Sequence, residues 1–359
     1  MVDIQNPDGG VMQDIRFSLS KDINNLCKEK LIKIGYKITQ EPKIGNYLIL
    51  YLNAMKRIID LRPRKVQLPK DFTIPIERLN GVRIFLRKVE LGKNLNSYQS
   101  THLKRIEFYD SFLNDFGFHH FHLGEKLQRH GKNKGFIERT GYVLIAKVEN
   151  DDFYVIGIYK HGSGHEDLFS DPTLIQKCYD HWPHLIEPFV LRGLLGGDKF
   201  TPSERALLRK NNVTVPISLD NGLIIMSPGG GTTCAGTSTQ NIMHHDKIMR
   251  SCKYYSEQLL KILKPRLDCS ATFSVVSFWH DYLVLFSLER CVFLHSRLLL
   301  NNSVVNTLIA SGFGPLYSHG WVPCDLNKVT LAFYQYHQPV TGMDFLCPFQ
   351  SLVKINRIS

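Results

Sequence analysis

The feature that most restricts what this chain can fold into is a pair of apolar runs, TGYVLIAK at residues 140–147 and DFYVIGIY at residues 152–159. Both are rich in β-branched and aromatic side chains, and Glu149, Asn150 and Asp151 between them supply turn chemistry, so the pair predicts an antiparallel hairpin. A third extended segment precedes it, GFHHFHLG at residues 117–124. Successive side chains of an extended chain face opposite ways, so His120 and His122 share one face while His119 and Phe121 share the other. With that strand beside the hairpin, its imidazoles fall near the hairpin exit, where Lys160, His161, His165 and Glu166 come in short order.

Such a mixture suits acid–base chemistry at a phosphodiester. Metal-free RNA cleavage needs a base for the 2′-hydroxyl proton, an acid for the leaving 5′-oxygen and cations for the extra negative charge. Histidine titrates near neutrality and serves in either role. The candidates are His120, His122, His161 and His165, with Glu166 as an alternative base and Arg139 and Lys160 as charge stabilisers. Two other readings stay open from the residues alone: the same histidines with Glu166 ligating a metal, or surface histidines with no task.

The order of glycine and aromatic, strand histidine, apolar strand, hairpin and terminal histidine before a small-residue turn and Leu168-Phe169 resembles the RelE/YafQ-type ribonuclease toxins. The resemblance covers residues 117–169. It places His122 at the family's strand histidine, His161 or His165 at its terminal histidine, and Leu168-Phe169 at the end of its sheet edge. Two departures fall inside it. Glu138-Arg139-Thr140 stands where the family has an acidic residue before its long strand, and a basic insertion, residues 125–135, separates the first strand from the second. The resemblance implies an RNA-cleaving, toxin-like enzyme that uses no metal and no cofactor. Its implied partners are RNA, with or without the ribosome, and an antitoxin-like protein.

The charge balance points the same way. With 44 Lys+Arg against 33 Asp+Glu, the net charge is +11, which favours polyanionic partners. Arg62, Arg64, Lys65, Arg83, Lys132 and Lys134 are the residues read as nucleic-acid contacts, and a non-catalytic nucleic-acid-binding protein of phage or prophage type is the alternative function. The opening MVDIQNPDGG has neither a basic nor an apolar leader region, and the most apolar stretch, residues 271–288, is interrupted by His280-Asp281. A cytoplasmic protein with no membrane partner is therefore expected. The eight cysteines show no CxxC spacing, which suggests reduced thiols rather than a zinc site.

Along the rest of the chain, residues 15–38 and 46–59 read as amphipathic and apolar helices, and residues 102–116 as a helix delivering the chain to the His-rich strand. Thr201-Pro202-Ser203-Glu204 is a capping box opening a helix whose Arg205, Arg209 and Lys210 would extend a basic surface. Asp220-Asn221-Gly222 signals a hairpin. Residues 231–238, GTTCAGTS, have P-loop glycine spacing, but Thr237 occupies the place of the lysine, so they read as a flexible linker with at most weak anion binding. The expected architecture is α+β, with a central antiparallel sheet of RelE-like type, N-terminal helices and a helical or irregular C-terminal part. Its four segments are residues 1–60 (helical), 61–190 (the RelE-like domain), 191–265 (hairpin, Gly-rich loop and helix) and 266–359 (of uncertain order).

Overall fold

The computed structural model describes residues 15–263, 271–279, 282–287, 292–297 and 331–332. In chain order the elements are β1 (Ile15–Phe17), α1 (Leu19–Ile34), α2 (Tyr47–Arg57), β2 (Lys65–Gln67), α3 (Leu79–Glu90), α4 (Ser111–Phe116), β3 (His119–His122), β4 (Tyr142–Val148), β5 (Asp152–Lys160), α5 (Thr173–His181), β6 (Val190–Leu195), α6 (Pro202–Lys210), β7 (Ile217–Ser218), β8 (Leu223–Ile225), α7 (Thr239–Leu263), β9 (Ala271–Trp279), β10 (Tyr282–Ser287), β11 (Val292–Arg297) and β12 (Leu331–Ala332). Short 3₁₀ turns join several of them. No helix among the described residues is long and apolar enough to cross a membrane.

The chain divides into two compact units, Met1–Glu29 with His245–Ser359, and Lys30–His244, which cut across the four segments read from the sequence. The first unit holds a five-stranded sheet in the order β1-β9-β10-β11-β12. β9 and β10 pair antiparallel on either side of His280-Asp281, while those two residues and most of 266–359 lie outside the described residues.

The second unit is α+β and contains a four-stranded sheet, β2-β5-β4-β3, and a three-stranded one, β6-β8-β7. The predicted hairpin is β4 and β5, and β3 pairs antiparallel to β4 with His122 opposite Val143. The sheet is nonetheless mixed rather than wholly antiparallel, because β2 joins the far edge parallel to β5, with Lys65 opposite Asp152. A parallel neighbour needs a long crossover, and here it is everything between β2 and β5.

Both faces of this sheet are covered. One carries Phe121, Leu144 and Phe153 onto α3, where Phe85 sits 4.8 Å from Phe121 and 5.0 Å from Tyr98, ring centre to ring centre. The other carries Val143, Ile145 and Ile156 onto Phe112 and Phe116 of α4 and Leu174 and Ile175 of α5. Each fully buried Phe contributes roughly 1.5–3 kcal/mol, so these two layers fix the sheet that holds the site. Gly81 lets α3 approach this closely, since a Cβ there would lie 2.1 Å from the Leu123 carbonyl oxygen.

Two helix expectations need correction. Residues 15–38 begin with a strand, and the helix occupies only Leu19–Ile34. The helix expected over residues 102–116 is confined to α4, preceded by a 3₁₀ turn at Thr101–Lys104. The cause is competition for carbonyls. Buried Arg57 donates to the carbonyls of His102, Arg105 and Ile106, and buried Asn53 donates to those of Ile106 and Phe108, so side chains of α2 hold these oxygens, and those of His102 and Arg105 accept backbone bonds only from three residues on, not from an α-helical turn. Asp110 then caps α4 through Leu113 N, and Gly117, at φ 73°, ends it in the left-handed conformation and turns the chain into β3.

The remaining predictions of local structure fare better. Thr201 and Glu204 form the capping box on α6, and the β7–β8 hairpin turns at Gly222 with φ 82°. The glycine-rich stretch is not a loose linker. Thr232 bridges to Ser238, Thr233 and Thr237 share three hydrogen bonds, and Gly229 N and Gly231 N donate to the carbonyls of Asp115 and Asn114. Lys56 reaches Gly229 O at 2.7 Å and Ser238 Oγ at 3.0 Å, so the segment is pinned to α2 and α4.

Candidate active site

The alternation in β3 puts His120 and His122 on one face, and the backbone bond from His161 N to Gly141 O extends the β4–β5 pairing far enough to add a third ring. The ring centres of His120, His122 and His161 lie 5.9–6.4 Å apart. Phe169 closes the group, 4.8 Å from His120 and 5.1 Å from His161. It is delivered by the 3₁₀ turn Glu166–Ser170, which Arg209 of α6 holds by donating to Phe169 O and Ser170 Oγ.

Arg139 completes the cluster. Its Nη1 donates to Nε2 of His122, a ring only 2% exposed, while Nδ1 of that ring is buried without a hydrogen-bond partner among the described residues. The arginine is brought there by the insertion. Residues 125–138 fold back on themselves through a Leu127–Ile137 bridge and the bonds Gln128 N to Phe136 O and Glu138 N to Lys126 O. The tip of this arm exposes Arg129, His130, Lys132 and Lys134, and its return leads straight into Arg139. Glu138 is not a free base, since its carboxylate accepts from Glu125 N at 3.1 Å.

Burial sets the protonation of these rings. His122 is driven down to about 2 by desolvation first and by the Arg139 charge second. His120 and His161 are lowered for the same leading reason, with Asp110 pulling His120 back up and Arg139 pushing His161 further down. His119, on the opposite face with its Nδ1 3.4 Å from Gln99 Oε1, is lowered by burial to about 4. All four rings are therefore neutral near pH 7, the state in which an imidazole accepts a proton.

A shallow cleft at the edge of the cluster is lined by His119, His120, Asp110, Gln99, Leu103 and Phe108. Asp110 carries the nearest influential negative charge, favouring protonation of both His119 and His120. It was not among the residues expected at the site, although an aspartate directly before a short apolar helix is an N-cap signal that places a carboxylate just ahead of the His-rich strand.

Of the seven predicted catalytic residues, His120, His122, His161 and Arg139 come together. Lys160 does not, because one residue along a strand reverses the face: it lies opposite Tyr142, and its charge acts on Glu77. His165 and Glu166 sit exposed on the turn after β5, where the Glu166 carboxylate accepts from Gly164 N and is lowered chiefly by that bond.

Among the predicted nucleic-acid contacts, Arg64 is buried and structural, donating to the carbonyls of Glu149, Asp60 and Arg62 and to the Asp60 carboxylate. Arg62 pairs with Asp60 at 3.1 Å and faces Asp151 at 3.8 Å. Lys65, Arg83, Lys132 and Lys134 are exposed. Arg205 and Arg209 do not extend a basic surface; both turn inward onto Asp115.

Among the described residues no three His, Cys, Asp or Glu side chains are grouped so as to hold a metal ion. The guanidinium on His122 Nε2 stands where a cation ligated by that nitrogen would have to bind. No protein-family model matches the chain, nor does any curated protein or solved structure.

Proposed function

We propose that the unit Lys30–His244 is a metal-free endoribonuclease of RelE-like, toxin type, acting on RNA in the cytoplasm. The observation that carries this reading is the convergence of three neutral imidazoles and one guanidinium at the edge of a cleft. His161, part-exposed and neutral, takes the 2′-hydroxyl proton as that oxygen attacks the adjacent phosphorus. Burial and Arg139 make its conjugate acid strong, so the same proton passes to the 5′-oxygen as the P–O bond breaks. Arg139 faces the charge that grows on the phosphoryl oxygens. The products are a 2′,3′-cyclic phosphate and a free 5′-hydroxyl.

His122 is too covered to touch substrate. Its neutral Nε2 accepts from Arg139 and sets the direction of that guanidinium, which makes it a positioning residue. His120 belongs both to the cleft and to the ring cluster, where it packs against Phe169. The basic arm, with Lys132 and Lys134 at its tip, supplies non-specific attraction for the backbone.

The test is incubation of the purified full chain with RNA in EDTA, beside the same oligonucleotide carrying 2′-deoxyribose at every position. Cleavage of the first alone, leaving cyclic phosphate ends, is the expected result. Loss of cleavage in EDTA would move the reading to a metal nuclease, and a salt-dependent mobility shift without products would leave only nucleic-acid binding.

A further inference from the structure

We propose that the arm over residues 125–138 is a docking row for a single-stranded polynucleotide, laid out so that the strand runs on into Arg139 and the imidazole cluster. The proposal rests on the ribonuclease reading for its purpose and names the substrate class: unpaired strands long enough to reach from the cluster to the arm, rather than nucleotides or dinucleotides. Between Glu125 and Glu138 the sequence KLQRHGKNKGFI carries Lys126, Arg129, Lys132 and Lys134 and not one carboxylate. All four are exposed, and none takes part in an ion pair among the described residues. The two flanking carboxylates are already occupied, Glu125 by Asn80 Nδ2 at 2.5 Å and Glu138 by Glu125 N at 3.1 Å.

What separates this row from an ordinary solvated run of charge is that its backbone is held. Glu138 N donates to Lys126 O at 2.9 Å, Gln128 N to Phe136 O at 2.8 Å and Gly135 N to Gln128 O at 2.9 Å, so the outgoing and returning stretches are tied along their length. Ile137 N donates to Ser97 O at 2.8 Å, and buried Phe136 and Ile137 anchor the return. Lys104 clasps the tip, donating to Lys134 O at 2.7 Å with its ammonium 4.9 Å from the centre of the Phe136 ring. Charges carried on a held backbone give up less freedom on binding, so the row is pre-organised for its partner.

Charge complementarity fixes the class of partner. Four uncompensated cations in close succession match a polyanion whose charges repeat at a set spacing, as they do along a nucleic-acid backbone. Lys126 is bonded across to Glu138, the neighbour of exposed Arg139, and Lys132 stands seven residues before that arginine, so the row starts at the guanidinium and reaches at most about 25 Å from it. At the roughly 3.4 Å rise of a stacked strand, about seven phosphates cover that distance. A single strand suits the row better than a duplex. Attack by the 2′-oxygen requires that oxygen, the phosphorus and the leaving oxygen in line, an arrangement that the stacked A-form helix withholds.

Fluorescence titration of the full chain with dye-labelled oligothymidylates, from dinucleotide to dodecamer and over a range of salt, tests this without cleavage, since a deoxy strand has the phosphates and no 2′-hydroxyl. Affinity of the wild type should climb steeply up to about eight nucleotides and only gradually beyond. Lys126→Gln, Arg129→Gln, Lys132→Gln and Lys134→Gln together should remove the steep part and lower the slope of log affinity against log salt by about 2.8, at about 0.7 per cation on a single strand. The comparison variant carries Lys37→Gln, Lys70→Gln, Lys93→Gln and Arg192→Gln, exposed cations elsewhere in the unit, and circular dichroism checks both folds. An equal loss in the comparison variant, a slope that the arm variant leaves unchanged, or tighter binding of a duplex of the same length would overturn the proposal. RNA cleavage in EDTA by the same preparations keeps the two readings apart: cleavage with no arm-dependent binding discards the docking row alone, and arm-dependent binding without cleavage discards the nuclease alone.

Discussion

Two clusters of buried polar groups lie in the same unit and are built on opposite terms. Around Asp115, Arg205 and Arg209 donate to one carboxylate oxygen at 3.2 and 2.5 Å, Ser227 donates to the other at 2.5 Å, and the Phe116 ring lies under both guanidinium groups. Around His122, one ring nitrogen meets a cation and the other meets nothing among the described residues. An unpartnered buried polar group costs about 1–3 kcal/mol, and a fold tolerates that where the group has chemistry to do. Arg205 Nε is also buried without a partner, so the contrast lies in the central groups: the Asp115 carboxylate is met at both oxygens, the His122 ring at one nitrogen. The Asp115 cluster also serves the site, since Arg209 holds the turn that sets Phe169 against His120 and His161.

The sharpest way to break that contrast is to remove each cluster's central group. Asp115→Ala leaves two arginines facing each other in the interior, and urea unfolding should register a loss of about 3–5 kcal/mol. A loss below about 1 kcal/mol would mean that the hub is not structural. The next largest effect is on the imidazole side and depends on pH. His119 is held at about 4 in the folded chain against an ordinary 6.5, so the unfolded chain binds its proton first as pH falls. Stability from this ring is complete above pH 6.5 and drains away as pH drops toward 4, by about 3 kcal/mol at most. His119→Gln should flatten that slope, and an unchanged slope would refute the assignment.

His161→Ala should act on the other axis. It removes a part-exposed ring with no hub contacts, so the thermal midpoint should hardly move while RNA cleavage falls more than about tenfold, about 1.4 kcal/mol of transition-state stabilisation. His122→Ala should slow cleavage as much by releasing Arg139. Full activity in both variants would remove the cluster from the mechanism.

How far the sequence foretold this depends on the range of the interactions. Period-2 alternation is local, so β3, β4 and β5 and the shared face of His120 and His122 were legible in the order of residues. Extending the cluster to His161 was legible too, because the last residue of a strand fixes the position of its immediate neighbour in the chain. Lys160 was misplaced by one residue of the same alternation. The parallel β2 and the shortened α4 were not legible, because each depends on a partner far along the chain: Lys65 N on Asp151 O, and the carbonyls of residues 102–108 on Arg57 and Asn53. Basic residues were over-assigned to RNA for the same reason. Asp60, four residues before Arg64, is a partner that sequence could have offered, but the Glu149 carbonyl that Arg64 meets and the Asp115 carboxylate that Arg205 and Arg209 meet lie far along the chain.

The smallest expected effect is the most discriminating about cause. Arg139→Gln removes the second of the influences that lower His122 and leaves the first, burial, in place. The ring's titration should therefore move up from about 2 and still stop short of the ordinary 6.5, which NMR of labelled imidazole can track. Because the ring stays neutral at pH 7 in both proteins, any activity lost in the variant reports the missing guanidinium and not a protonated His122. A titration that does not move would place Arg139 away from the ring. One that rises past 6.5 would mean that charge, rather than desolvation, keeps His122 neutral, and the acceptor nitrogen that aims Arg139 would then exist only while the arginine itself is there.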